Sequence, residues 1–334
     1  MKANPYFDPR KPHRTRDGFR NNYLQGGIGG SFLKWQLQRW RHGLPKPPAQ
    51  DYRFPTATPD RDWLAGNRCD TTATWIGHAC VLMQTHGVNV LTDPVLSLRA
   101  SPFRFMGPKR THPPALAIHE LPHIDVVLIS HNHYDHLDRD TVLALNRQPG
   151  GPPLFLVPLG IAPWMQKLGI AHVRELDWWT TTTVDKLAFT FVPAQHWSAR
   201  GLFDRCQTLW GGWAVCAAPG EADSFSFFFA GDTGYSKDFE DIGRHFDGFD
   251  LALLPIGAYA PRWFMRAQHI DPAEAVKIHR DIRAKRSMAI HWGTFGLADE
   301  PLDEPPKLLA QALQEAGIAA DRFLLQPQGE TLRF

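Results

Sequence analysis

The stretch SHNHYDHLD, Ser130 to Asp138, places His131, His133, Asp135 and His136 within six residues. Imidazole and carboxylate side chains are poor core material and poor helix formers, so packing gives no reason to crowd them. A metal ion does, because neutral imidazole and ionised carboxylate are ligands for zinc, and also for iron or manganese. Three more residues of these types stand in comparable places along the chain. FTFVPAQ runs into His196, SFSFFFAG into Asp232 and SMAI into His291. Each follows an apolar, β-rich run, as the first cluster follows DVVLIS. Alone, His196 or His291 reads as a surface or hydrogen-bonded histidine. Beside the H-x-H-x-D-H run they read as partners in one constellation. The set is too large for one tetrahedral ion. It divides into two sites sharing a carboxylate, with two ions about 3.5–4 Å apart and a hydroxide between them.

Residues so far apart converge only if the fold gathers their loops. From about Thr72 the chain alternates short apolar runs (TATWIGHA, ACVLMQT, VNVLTD, DVVLIS, FTFVPA, SFSFFFA, LALLP, SMAI) with helical patterns such as RDTVLALN, PAEAVKIHRDI and PPKLLAQALQEA. That alternation predicts a layered α/β domain. Loops at one edge of such a sheet lie close together, and ligand sites form there. Trp178, Trp179, Trp210 and Trp213 are expected between the layers. Residues 1–65 are rich in Pro, Arg, Asn and Gly and read as a basic N-terminal extension, with the catalytic domain over residues 66–334. Within the extension, SFLKWQLQRW predicts a short helix with Phe32, Leu33, Leu37 and Trp40 on one face and Lys34 and Arg41 on the other.

The 334 residues are 43% hydrophobic and 21% charged, ordinary for a globular enzyme. The net charge is +2, yet residues 1–50 carry +8 and the remainder −6. A body of that sign argues against a nucleic-acid partner, and the basic arm suggests an anionic surface instead. The four cysteines form no disulfide framework, which points to a reducing compartment. The N-terminus has no apolar signal region, and no apolar run approaches the roughly 18–20 residues that span a bilayer. The expectation is a cytoplasmic protein, peripherally membrane-associated through its arm, with a homodimer left open.

His131-x-His133-x-Asp135-His136 is similar to the metal motif of the metallo-β-lactamase superfamily. The likeness extends further. LTDPVLSLRASP, MGPKRTH, LISHNHYDHLD, ELDWW, QHWSAR, LWGGW, FFAGDTGYS, PIGAYAPRWFM, QHIDPAEAV and AIHWGTF occur in the order found in N-acyl phosphatidylethanolamine-hydrolysing phospholipases D. The resemblance runs from about Trp75 to about Leu313, and Ser198 and Ala260 depart from the family pattern. It implies an αββα sandwich with two zinc ions at one edge. His131, His133 and His196 would hold one ion and Asp135, His136 and His291 the other. Asp232 would bridge them, and Asp93 would orient a ligand from behind. The implied reaction is attack of a metal-bridging hydroxide on phosphorus, releasing N-acylethanolamine and phosphatidic acid. Asp135, Asp232 and His269 are the expected catalytic residues, with Gln268 and His269 near the phosphate. The alternative role for His269 is to cap the helix that starts near Pro272.

A phospholipid substrate also needs apolar surface, and Tyr259, Trp263, Phe264 and Met265 in the loop GAYAPRWFM are the expected groove wall. Two rival readings stay open. One keeps the fold and hydrolyses a lactone or another phosphodiester. The other is a non-catalytic zinc-containing lipid-binding protein.

Overall fold

The computed structural model describes residues 4–23, 32–45, 52–217 and 224–334. Parts of the basic extension, residues 1–3, 24–31 and 46–51, therefore lie outside the described residues. Two seven-stranded mixed sheets face one another. The first runs, edge to edge, through Thr331–Arg333, Thr72–Gly77, Cys80–Thr85, Val88–Thr92, Val126–Leu128, Leu154–Pro158 and Val173–Leu176. The second runs through Phe323–Leu324, Ala284–Ile290, Phe249–Pro255, Phe227–Phe229, Gly212–Ala217, Leu187–Val192 and Thr180–Val184.

Side-chain alternation explains the layering. Val126 and Leu128 point into the core shared by the sheets, whereas Val127 and Ile129 pack outward with Val142 and Leu145 of the helix Arg139–Leu145. A strand covered on both faces reads as a continuous apolar run, and its neighbours Val88–Thr92 and Leu154–Pro158 pair with it in parallel. The second sheet is backed by the helices Asp238–Phe246, Pro272–Asp281 and Glu304–Ala316. The result is the helix–sheet–sheet–helix sandwich that the resemblance implies. Phe227, Phe228 and Phe229 are each at most 1% exposed. Burying a side chain of that size contributes about 1.5–3 kcal/mol. Trp178, Trp210 and Trp213 are buried in the inner core as expected. Trp179 is not: it takes a positive φ of 63° at the turn into Thr180–Val184 and is 40% exposed.

The N-terminal extension packs on the domain. A two-residue ribbon, Arg14–Thr15 with Gly18–Phe19, brings Phe19 into the core. His13 and Arg14 bond to the carboxylate of Asp177 at 2.6 and 2.7 Å. The helix Phe32–His42 forms where the sequence predicts it, but it docks through a different side chain. Trp35 is buried, stacked on Phe264 at 4.8 Å between ring centroids and donating to Asp299 at 2.7 Å. Leu33, Leu37 and Trp40 stay 77%, 62% and 83% exposed. Among the described residues no helix is long and apolar enough to cross a membrane.

Candidate metal centre and groove

The site forms where strands of both sheets end at one edge. The loop after Val126–Leu128 carries His131, His133, Asp135 and His136, and Asp138 terminates it by capping the helix Arg139–Leu145. His196, Asp232 and His291 arrive from the ends of Leu187–Val192, Phe227–Phe229 and Ala284–Ile290. Close approach of these loops needs glycine. Gly231 has a φ of +62°, and a Cβ there would lie 2.5 Å from that of Ser130, the neighbour of His131. Asp93 and His291 themselves adopt positive φ values of 28° and 60°, strain of the kind that gathers at functional sites.

All seven predicted ligand residues come together. In the first group, His131 Nε2 and His196 Nε2 lie 2.9 and 3.3 Å from His133 Nδ1. In the second, Asp135 Oδ2 lies 3.3 Å from His136 Nε2 and 3.4 Å from His291 Nε2. Asp232 stands between the groups. Its Oδ2 is 3.1 Å from His136 Nε2 and 4.0 Å from both His131 Nε2 and His196 Nε2, and its Oδ1 is 3.1 Å from His291 Nε2.

Outer contacts fix which nitrogen faces inward. His136 Nδ1 is 2.6 Å from Asp93 Oδ2, His131 Nδ1 is 2.9 Å from Ser130 Oγ, and His196 Nδ1 donates to the Gln268 carbonyl at 2.8 Å. Asp93 also accepts from the Ser130 amide at 2.7 Å and hydroxyl at 2.5 Å, so it ties the whole loop together. Each ring is thereby turned so that its other nitrogen points at the centre, the arrangement that orients metal-binding histidines.

The donor set fits cations. Imidazole nitrogens face one another at hydrogen-bond distance, and Asp232 Oδ1 is buried without a hydrogen bond. Such a cluster is costly unless something positive fills it. Protonation agrees. Burial pushes His131 and His196 well below the ordinary imidazole range and His133 down to about 4. Burial works to raise Asp135 and Asp232, but the imidazoles around them, His136 foremost, hold both well below the carboxylate range. Neutral imidazole and ionised carboxylate are the forms a metal requires. His136 goes the other way. Burial works to lower it, but Asp232 and Asp135 carry it well above its ordinary value. A cation held by those carboxylates would take the place of that proton.

One member of the cluster is missed by the sequence reading. His78, after the strand Thr72–Gly77, places Nε2 3.2 Å from Asp135 Oδ2 and its ring 4.0 Å from that of His291. It groups with Asp135, His136 and His291 as a set of candidate ligands. The signal was a histidine at an apolar strand end, the same signal that marks His196 and His291.

A groove of about 560 Å³ opens beside the cluster and is lined by His133, Asp135, Asp232, Gln268 and His269 on its polar side. Its apolar wall comes from Phe32, Trp35, Ala258, Phe264, Met265 and Leu297. Of the four loop residues expected there, Phe264 and Met265 face the groove, and Tyr259 and Trp263 lie outside its lining. Tyr259 is buried with its hydroxyl donating to Glu304 at 2.6 Å, and Trp263 meets Lys34 in a cation–π contact at 4.9 Å. The helix Pro272–Asp281 is capped by Asp271 in a capping box with Glu274, which leaves His269 to the site. His269 Nδ1 is 3.8 Å from Asp232, and burial pushes it down to about 4.

The comparisons with known proteins agree with this fold. Residues 88–292 match the Beta-lactamase superfamily domain. A metallo hydrolase from the archaeon Ignicoccus hospitalis shares the fold with a TM-score of 0.58 at 21% identity, covering 80% of this chain and 99% of that one. The N-acyl-phosphatidylethanolamine-hydrolyzing phospholipase D 1 of Caenorhabditis elegans is 43% identical over 253 residues, covering 71% of this chain and 69% of the relative. The mitochondrial N-acyl-phosphatidylethanolamine-hydrolyzing phospholipase D of Saccharomyces cerevisiae is 36% identical over 287 residues, 84% of this chain and 59% of the relative. With the His/Asp cluster set at the edge of its αββα sandwich, the chain is a metal-dependent hydrolase and belongs to the N-acyl phosphatidylethanolamine-hydrolysing phospholipase D family of the metallo-β-lactamase superfamily.

Proposed function

We propose that the protein is a phosphodiesterase of phospholipase D type, cleaving N-acyl phosphatidylethanolamine to N-acylethanolamine and phosphatidic acid. The observation that carries this reading is the junction of a two-lobed His/Asp cluster with an apolar groove, Asp232 and His269 lining both. A phosphodiester is anionic and resists nucleophiles at neutral pH. Two divalent cations, zinc or else iron or manganese, would neutralise the phosphoryl oxygens and lower the pKa of water towards about 7.

The chain's own groups do the rest. His131, His133 and His196 would hold one cation and Asp135, His136 and His291 the other, with Asp232 standing between the two groups. Asp93 keeps His136 turned inward. Gln268 and His269 flank the phosphate. With its pKa near 4, His269 is neutral at pH 7. Its N–H can then donate a hydrogen bond to a phosphoryl or leaving oxygen. Phe264, Met265 and Trp35 accommodate an acyl chain along the wall.

The substrate lies in a bilayer, so the groove must meet one. Phe32 on the helix Phe32–His42 lines the groove, and Leu33, Leu37 and Trp40 extend outward from it. A second apolar tip, Leu202 and Phe203, is 91% and 95% exposed between Arg200 and Arg205. Asp204 closes that loop by accepting from the Arg200 and Gly201 amides. Exposed apolar tips of this kind suit shallow insertion at a membrane surface, which supports peripheral attachment through these elements.

The test is incubation of the metal-loaded protein with a lipid extract and mass spectrometry of what is consumed. Selective loss of N-acylated phosphatidylethanolamine supports the reading. Turnover confined to lactones or to soluble phosphodiesters overturns it.

A further inference from the structure

We infer that Asn21, in the N-terminal extension, is a positioning residue for the metal centre. His196 lies beyond the end of its strand, Leu187–Val192; an isolated bridge pairs Gln195 with Gly234, and past it no strand among the described residues continues the ladder. Its main chain is met instead by one side-chain amide from 175 positions upstream. Asn21 Nδ2 donates to the His196 carbonyl at 3.1 Å, and the His196 amide donates to Asn21 Oδ1 at 3.2 Å. The same oxygen accepts from Trp210 Nε1 at 2.8 Å, and Trp210 is a fully buried core residue. Asn21 thus pairs both peptide groups of His196 and ties them to the core. The Gln268 carbonyl fixes the rotation of the His196 ring, and Asn21 fixes the backbone that carries it.

Asparagine suits this place because its amide offers a donor and an acceptor in one plane. Alanine would leave the His196 carbonyl and amide unpaired beside a buried ring. An aspartate would keep the acceptor and set a carboxylate against the carbonyl. The next residue gives the control. Asn22 donates to Asp238 at 2.9 Å and anchors the same segment without touching His196. Outer partners that orient ligating histidines are worth about 10–100-fold in metal affinity.

This inference rests on the metal-centre reading, and cobalt(II) tests the two separately. The full-length parent, Asn21→Ala, Asn21→Asp and Asn22→Ala are each titrated with cobalt(II), following the visible absorption bands. Chelator competition and melting temperature are measured in parallel. Asn21→Ala and Asn21→Asp should each weaken cobalt(II) binding by about tenfold or more with altered bands. Asn22→Ala should lower the melting temperature and leave affinity and bands as in the parent. Cobalt(II) affinity within twofold of the parent in both Asn21 variants overturns the inference and leaves the metal centre standing. Equal weakening in Asn22→Ala also overturns it, since loosening of the segment would then suffice. A parent that binds no cobalt(II) removes the metal centre itself, and the inference with it.

Discussion

Asp93 and His136, 43 positions apart and both fully buried, meet through a 2.6 Å contact between Oδ2 and Nδ1. That contact decides the site's polarity, because it turns His136 Nε2 towards Asp232 and Asp135. Asp93→Ala frees the ring and leaves the Ser130 amide and hydroxyl without their acceptor. Metal affinity is expected to fall about 10–100-fold, read by chelator competition. Affinity equal to that of the parent would show that the loop is held by other means.

Asp232 is the residue common to both groups, whereas His291 borders only the second. The purified parent is expected to hold about two metal ions per chain. Asp232→Ala should weaken both sites and His291→Ala mainly one, as measured by elemental analysis across a chelator series. A single ion in the parent contradicts the two-site arrangement.

The exposed face of the helix Phe32–His42 separates membrane contact from folding. Replacing Leu33, Leu37 and Trp40 together by serine removes apolar side chains that are each more than 60% exposed. Sedimentation with anionic liposomes is expected to drop several-fold, while melting temperature and turnover of a short-chain soluble substrate are kept. Unchanged liposome binding would place the membrane contact elsewhere, with Leu202 and Phe203 the next to replace.

The inner part of the extension should behave as structure. Burial works to raise the Asp177 carboxyl, yet the hydrogen bonds from His13 and Arg14 hold it down at about 2. A carboxylate depressed in the folded state stabilises above its unfolded pKa and loses that stabilisation as pH falls through the folded value. Asp177→Asn should therefore cost roughly 1.5–3 kcal/mol at pH 7, the range for hydrogen bonds to charged groups. The gap in melting temperature between parent and variant should close as pH falls from about 4 to about 2. A gap that stays constant across that window would show that the carboxylate's charge is not what matters.

The sequence made the metal cluster legible because strong, local signals coincided. Val126–Leu128 is apolar on both faces, and three imidazoles directly after it have no packing use. His196, Asp232 and His291 carried the same mark at other strand ends. His78 carried it too, but as a single histidine without a second ligand nearby it did not stand out. Asn21 left no mark, since its contact with His196 is set by where the extension crosses the domain and not by any local pattern. The groove shows the same limit. The composition of GAYAPRWFM is apolar, but which side chains face the groove depends on packing against Glu304 and the N-terminal helix. Tyr259 is drawn inward to Glu304, and Phe264 is selected by Trp35. In the helix itself the apolar stripe was visible, and the contact was made by the one aromatic outside it.

The reaction itself is tested most directly by the bond that breaks. Metal-loaded protein is given N-acyl phosphatidylethanolamine in heavy-oxygen water, and both products are analysed by mass spectrometry. Attack at phosphorus puts the heavy oxygen into phosphatidic acid and none into the N-acylethanolamine. Label in the N-acylethanolamine, or an intact lipid beside rapid turnover of a lactone, would contradict the account.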